Sequence, residues 1–318
     1  MTLLSVKVAR KVVQAEDIVS LELVSPDGKP LPAFSAGSHI DVCLKDGLIR
    51  QYSLWNDPGE QHRYLIGVLK DAASRGGSVA IHDLINVGDT LQISEPRNRF
   101  QLVPASRTLL LAGGIGITPL LCMARHLAHL DADFDMHYCT RSPERTAFHG
   151  EISNSAFANN VHFHFDNGTP EQKLNLADVI AQPKPGTHLY VCGPTGFIDY
   201  VINAAREIGW PHDQLHLEYF AAAEQDTAGD TSFQVKVSST GQIFTVAPGS
   251  TITKVLEEHG VFIPVSCEEG VCGTCLTGVL EGRPDHRDLY LTDEERAKND
   301  QFTPCCSRSK SAMLVLDL

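Results

Sequence analysis

Three patterns of apolar and polar positions succeed one another along the chain. Residues 1–103 are short apolar–polar alternations broken by Gly, Pro and Asp turns, with no long helical period. Alternation with period two buries one face of a strand, so an antiparallel β-barrel is expected there. From residue 104 the pattern changes. Apolar runs at 109–112, 134–139, 161–165, 188–192 and 215–219 are separated by stretches with helical spacing, clearest at 120–130 and 197–208. Strand and helix in turn predict an α/β doubly wound parallel sheet over 104–222. Small polar residues at 223–231 read as a linker. In 232–318, alternations at 233–237 and 243–246 around Ser239, Thr240 and Gly241 predict a hairpin, 251–259 a helix and 313–318 a closing strand, together a small α+β module.

Composition narrows the classes. The chain has 318 residues, 42% of them hydrophobic, as expected of a multidomain globular protein with real cores. Its net charge of −13 makes nucleic acid a poor partner. No apolar run is long enough for a membrane span, and the first ten residues lack an apolar signal core, so a cytoplasmic location is expected. Nine cysteines in such a setting favour thiolate ligands or buried thiols over disulfides.

Four of those cysteines carry the strongest chemical signal. Cys267, Cys272 and Cys275 are spaced C-x4-C-x2-C, and Cys305 follows after a long interval, the ligand spacing of a plant-type 2Fe-2S cluster. Gly270, Gly273 and Thr274 suit a loop that curls around sulfur and turns N–H groups toward it. Zinc sites more often pair short-spaced ligands in both halves, a pattern absent here. Cys306 is expected to point away from Cys305 along a strand and not to be a ligand. Cys43, Cys122 and Cys139 read as small buried hydrophobes.

The middle region carries two glycine turns, each opening a helix from the end of a strand. The first is Gly113, Gly114 and Gly116, followed by Thr118 and Pro119; the second is Cys192, Gly193 and Pro194. Turns of this kind bring backbone N–H groups and a helix N-terminus to a dinucleotide pyrophosphate. Cys192 has two readings, a contact to nicotinamide and a structural thiol. Arg141 at the end of the second strand would suit a 2′-phosphate, whereas Asp166 at the end of the third would repel one.

In the N-terminal region, Arg50 and Tyr52 alternate onto one strand face, a cation beside a flat ring, with Ser53 adjacent. Arg75, Gly76, Gly77 and Ser78 form a candidate phosphate nest. A phosphate and an isoalloxazine ring call for such a set, so a flavin is expected here.

Taken together, these motifs and their order resemble the phthalate dioxygenase reductase family, the FMN-containing branch of the ferredoxin-NADP reductase superfamily. The resemblance covers the whole chain and implies a flavin barrel, an NAD domain and a β-grasp ferredoxin module. It implies that Arg50 meets the FMN phosphate with Gly76, Gly77 and Ser78, that Tyr52 lies against the flavin ring and that Ser53 is near its N5. Thr118 and the Cys192 turn would border the nicotinamide, and Phe220 would cover the flavin until NADH displaces it. NADH is the implied donor. The implied acceptor is a Rieske-type terminal oxygenase, a ring-hydroxylating dioxygenase or an O-demethylase, reached by hydride transfer to flavin and single-electron steps through the cluster. A reductase for a haem-thiolate monooxygenase would use the same modules and is the alternative.

Overall fold

The computed structural model describes residues 3–71, 76–181, 184–220 and 227–318. The chain divides into two compact units, Met1–Phe220 and Ala221–Leu318. No helix among the described residues is long and apolar enough to cross a membrane.

The first unit contains two sheets. Seven antiparallel strands form the first, and the path from Ile49–Ser53 runs through Ser38–Cys43, Thr90–Ser94, Leu3–Ala15 and Ile18–Val24 to Tyr64–Leu69. An antiparallel bridge between Leu54 and Ile66, with the Trp55 N–H donating to the Leu65 carbonyl at 3.0 Å, joins the two ends of that path and closes the barrel. Alternate residues Val6, Val8, Leu21, Leu23, Ile40, Val42, Ile66 and Val68 fill its interior. A helix, Gly77–Leu84, sits on the barrel and sends Ile81 into that core. Its eight residues are too few for the periodicity sought in the sequence.

The second sheet is parallel, in the order Val161–Phe165, Phe134–Thr140, Arg107–Gly113, Thr187–Gly193, Leu215–Tyr219. The helix Ile117–His129 covers one face and Thr195–Glu207 the other. Both layers of side chains exclude water, which is why the strands read as nearly continuous apolar runs. Barrel residues Ile18, Trp55, Leu65 and Phe100 share one buried cluster with Leu110, Leu120 and Tyr190 of the parallel domain. The two sheets therefore form a single compact unit.

The second unit is a mixed five-stranded sheet. The hairpin Phe233–Val237 and Ile243–Val246 occupies one edge, Met313–Leu316 runs parallel to Phe233–Val237, and Thr277–Glu281 and Gln301–Phe302 complete it. Helix Ile252–Glu258 packs Ile252 and Leu256 onto this β-grasp sheet, and Thr251 caps it by accepting the Lys254 N–H. The chain enters this unit under restraint. Asp230 is ion-paired with Arg287 at 2.6 Å and with Arg308 at 3.3 Å. Arg308 also donates to the carbonyls of Thr231, Ala247 and Ser250 and lies over the Phe233 ring. Of the expected linker, 223–226 lies outside the described residues, and Asp230 and Thr231 are bound into the second unit.

Candidate functional site

The candidate flavin cradle begins with strand geometry. Ile49–Ser53 pairs with Ser38–Cys43 so that Arg50 lies opposite Val42, Tyr52 opposite Ile40 and Ser53 opposite His39. Arg50 and Tyr52 share a face, as period two requires. Tyr52 packs against the barrel core, and burial pushes its phenol well above the ordinary range, leaving a neutral flat ring. Ser53 is buried beside it. Gly76, in the left-handed region at φ 87°, turns the chain into the helix Gly77–Leu84. A Cβ on Gly77 would lie 2.5 Å from Cγ and 2.7 Å from Nε of Arg50. The arginine therefore crosses the first turn of this helix, adding a cation to N–H groups that have no intrahelical partner. Ser78 is buried, its hydroxyl accepting the Asp71 N–H at 3.1 Å. Arg75 lies outside the described residues. An arginine laid across the first turn of a helix, whose N–H groups lack intrahelical partners, fits a phosphate.

The candidate dinucleotide crevice is built where two strand ends touch. A Cβ on Gly193 would lie 2.9 Å from the Gly113 Cα, and one on Gly116 would collide with the Cys192 carbonyl. Only glycine permits that approach. Gly114, at φ 54°, makes the turn, and Thr118 and Pro119 lie in the first turn of Ile117–His129, both buried. The Thr118 hydroxyl donates to the Ile115 carbonyl at 3.1 Å. On the barrel side, Gly67 closes against Thr118, with its Cβ position 2.9 Å from the threonine methyl. Pro194 packs on Gly113 and precedes helix Thr195–Glu207.

Cys192 is fully buried, and burial raises its thiol well above 9, so it is neutral. Across the sheet it pairs with Glu218. One Glu218 oxygen, Oε2, is buried with no hydrogen-bond partner among the described residues, and burial lifts the carboxyl to about 8. Nothing local in the sequence marks Glu218; only the register of the two strands sets it beside Cys192. Phe220 follows Tyr219 and is 39% exposed.

The cluster loop gathers its sulfurs. None of the four is in a disulfide among the described residues; Cys267 is within hydrogen-bond reach of Cys272 and Cys305, and Cys305 of Cys275. The Glu269 N–H donates to the Cys267 sulfur at 3.3 Å and the Thr274 N–H to the Cys272 sulfur at 3.4 Å. Such N–H groups stabilise negative sulfur. Gly270 at φ 75° and Gly273 at φ 68° curl the loop, and a side chain on them would strike Cys306 and the Tyr290 ring. An all-sulfur set framed by backbone donors fits an iron-sulfur cluster.

Cys306 corrects one expectation. It sits in a turn, not on a strand, and its thiol lies against Gly270 within reach of the Thr303 hydroxyl at 3.3 Å. Alternation along a strand cannot be used to aim it. Of the other thiols, Cys122 is fully buried while Cys43 and Cys139 are half-buried.

Known proteins carry the same combination. Residues 235–310 match the 2Fe-2S iron-sulfur cluster binding domain family, and residues 96–215 match the N-terminal domain of the dimethylamine monooxygenase subunit DmmA-like family. Over 305 residues the chain is 58% identical to a vanillate O-demethylase oxidoreductase of Pseudomonas sp. (strain HR199 / DSM 7063), covering 96% of each. The solved structure of phthalate dioxygenase reductase, described as modular for electron transfer from pyridine nucleotides to 2Fe-2S, is 41% identical with a TM-score of 0.78, covering 99% of this chain and 98% of that one. An intact type IV self-sufficient cytochrome P450 monooxygenase is 37% identical with a TM-score of 0.85, covering 99% of this chain and 41% of that one.

Fold and site thus define an oxidoreductase of the electron-transfer kind, which joins NADH, FMN and a 2Fe-2S cluster in one chain. The chain belongs to the phthalate dioxygenase reductase family and is the reductase component of a multicomponent oxygenase.

Proposed function

We propose that this chain carries electrons from NADH to a Rieske-type terminal oxygenase that O-demethylates a methoxylated aromatic acid of the vanillate kind. The observation that carries the reading is the 58% identity, along nearly the full length, to a vanillate O-demethylase oxidoreductase. The energetics agree. Rieske centres lie at roughly −150 to +300 mV and plant-type clusters at about −400 mV, so electrons run downhill to such an acceptor.

In this reading Arg50 and the N-terminus of Gly77–Leu84, with Gly76, Gly77 and Ser78, would hold the FMN phosphate. Tyr52 would flank the flavin ring, with Ser53 beside it. Gly113, Gly114, Gly116, Gly193 and Pro194 receive the dinucleotide, with Thr118, Pro119 and Cys192 at the nicotinamide and Phe220 over the flavin. Cys267, Cys272, Cys275 and Cys305 hold the irons. FMN, when bound, supplies the conversion between a two-electron donor and a one-electron acceptor. Cys192 and, below about pH 8, Glu218 keep the crevice wall uncharged, so it accepts the neutral reduced nicotinamide without a fixed countercharge. Thr118, buried against Gly67, closes the crevice to water on the barrel side.

A second reading, service to a haem-thiolate monooxygenase, is supported by the 37% identity to a cytochrome P450 monooxygenase chain. Mixing the holo-reductase with the oxygenase component of a vanillate O-demethylase, NADH and vanillate separates the two. Formaldehyde release matching NADH use is expected. No turnover there, with turnover of a haem-thiolate partner, would favour the second reading.

A further inference from the structure

Lys11 stands where an antiparallel barrel would place an apolar residue. In the pairing of Leu3–Ala15 with Ile18–Val24 it lies opposite Leu21, and Leu21 is fully buried in the barrel interior. Residues directly opposite on an antiparallel pair point to the same face, so the Lys11 side chain leaves its strand on the core side. It ends on the helix Gly77–Leu84. Its amine donates to the carbonyls of Ile81 at 3.0 Å, His82 at 2.6 Å and Ile85 at 2.7 Å. Three acceptors around one nitrogen use every N–H of a charged lysine, so the amine is held as the cation.

The helix thus has a cation at its carboxyl end, where the last carbonyls lack intrahelical partners and the dipole is negative. At its amino end Gly76 turns the chain and Arg50 lies across Gly77. Eight residues make a rod about 12 Å long, short enough to move as one piece, so whatever fixes one end sets the place of the other. Other ties reach the same helix singly. The His82 ring nitrogen is 2.9 Å from the Val68 carbonyl, the Ser78 hydroxyl accepts the Asp71 N–H, and Asp83 pairs with Lys70 at 2.7 Å. That last pair is exposed on both sides, and such pairs contribute little.

We propose that Lys11 is a positioning residue for the flavin phosphate: by gripping the carboxyl end of Gly77–Leu84 it sets where the amino end meets that phosphate, and so makes the barrel select FMN over riboflavin. This rests on the reading above that the phosphate lies at the amino end of this helix. Lys11 acts through the helix and not on the flavin. Riboflavin has the same ring and ribityl chain without the phosphate, so its binding does not depend on where that helix end lies. A lysine that merely stabilised the barrel would affect both flavins alike.

The test uses the full chain freed of flavin, with Lys11→Met, which keeps the apolar stem and removes the donors, and Lys11→Arg, which keeps the charge. Lys70→Met, which removes the exposed tie to the same helix, is the control. Fluorescence titration gives the Kd of FMN and of riboflavin for each. Lys11→Met should weaken FMN about tenfold, as loss of charged hydrogen bonds at a helix end does, and leave riboflavin unchanged. Lys11→Arg should recover most of the FMN affinity, and Lys70→Met should change neither flavin. A Lys11→Met protein that keeps the ratio of the two affinities would overturn the proposal, whether both hold or both fall. So would an equal loss of FMN in Lys70→Met, since any loosening of the helix would then suffice. Should Lys11→Met fail to fold, Lys11→Gln, with two N–H donors left, takes its place, and a smaller loss confined to FMN is expected. If the unaltered protein binds riboflavin as tightly as FMN, the phosphate reading has itself failed and the role of Lys11 falls with it.

Discussion

Gly77 lies beneath the side chain of Arg50, with only 2.5 Å between the arginine Cγ and the place a Cβ would occupy. The arginine can cross the helix N-terminus because the residue there has no side chain. Gly77→Ala should push the guanidinium aside and weaken FMN binding about tenfold. Arg50→Ala, which removes a charged hydrogen-bond donor worth about 1.5–3 kcal/mol, should weaken it tenfold to a hundredfold. Flavin fluorescence titration of the deflavinated protein measures both, and unchanged affinity in either would take Arg50 away from the phosphate.

Cys272 receives the Thr274 N–H and is one of the gathered thiols. Cys272→Ser should abolish the visible absorption of the cluster and leave flavin reduction by NADH at its normal rate. Stopped-flow spectra separate the two bands; loss of flavin reduction would contradict independent modules.

Cys306 stands beside the proposed ligand Cys305 and against the loop, its thiol within reach of both the Thr303 hydroxyl and the Cys305 sulfur. Cys306→Ala should retain two irons and two sulfides per chain, whereas Cys305→Ser should not. Iron and acid-labile sulfide assays decide this, and cluster loss in the alanine variant would make Cys306 a ligand.

Burial raises the Glu218 carboxyl from 4.5 to about 8. The folded protein holds a proton that the unfolded chain has released across that interval, so stability falls as pH rises through it and levels off above. Glu218→Gln should remove this slope. At pH 8.5 its Tm should exceed that of the unaltered protein by about 3 °C or more, with little difference at pH 5. Parallel slopes in calorimetry would mean that the carboxylate is already paired in the folded state.

Arg308 contacts Asp230 and three carbonyls while itself nearly buried. Arg308→Ala strips the buried Asp230 of one partner, and breaking such a pair costs about 3–5 kcal/mol. Urea unfolding followed at the cluster absorption should show a clearly lowered midpoint.

Much of the architecture was legible because its signals are local. Strands at Val161–Phe165, Leu215–Tyr219, Phe233–Val237 and Ile243–Val246 have the expected limits, and the other parallel strands differ by a residue or two at their ends. Apolar runs bounded by turns define them without reference to the rest of the chain. The three loop cysteines were equally plain, since one short loop must present them. What stayed hidden depends on contacts between distant segments. Glu218 looks like an ordinary strand residue until register sets it beside Cys192. Cys306 was misdirected because its turn forms only where 303–307 folds against the loop. Asp230 read as linker because its partners lie 57 and 78 positions away.

The Asp230 clamp also fixes where the iron-sulfur piece can be cut out for use elsewhere. A fusion designer who starts the insert at the first strand residue, Phe233, would discard Asp230 and leave Arg308 inside the new protein with a lost counterion. Starting at Thr227 keeps the turn that closes onto Asp230, and so transfers the electron carrier together with the staple that seats its leading end.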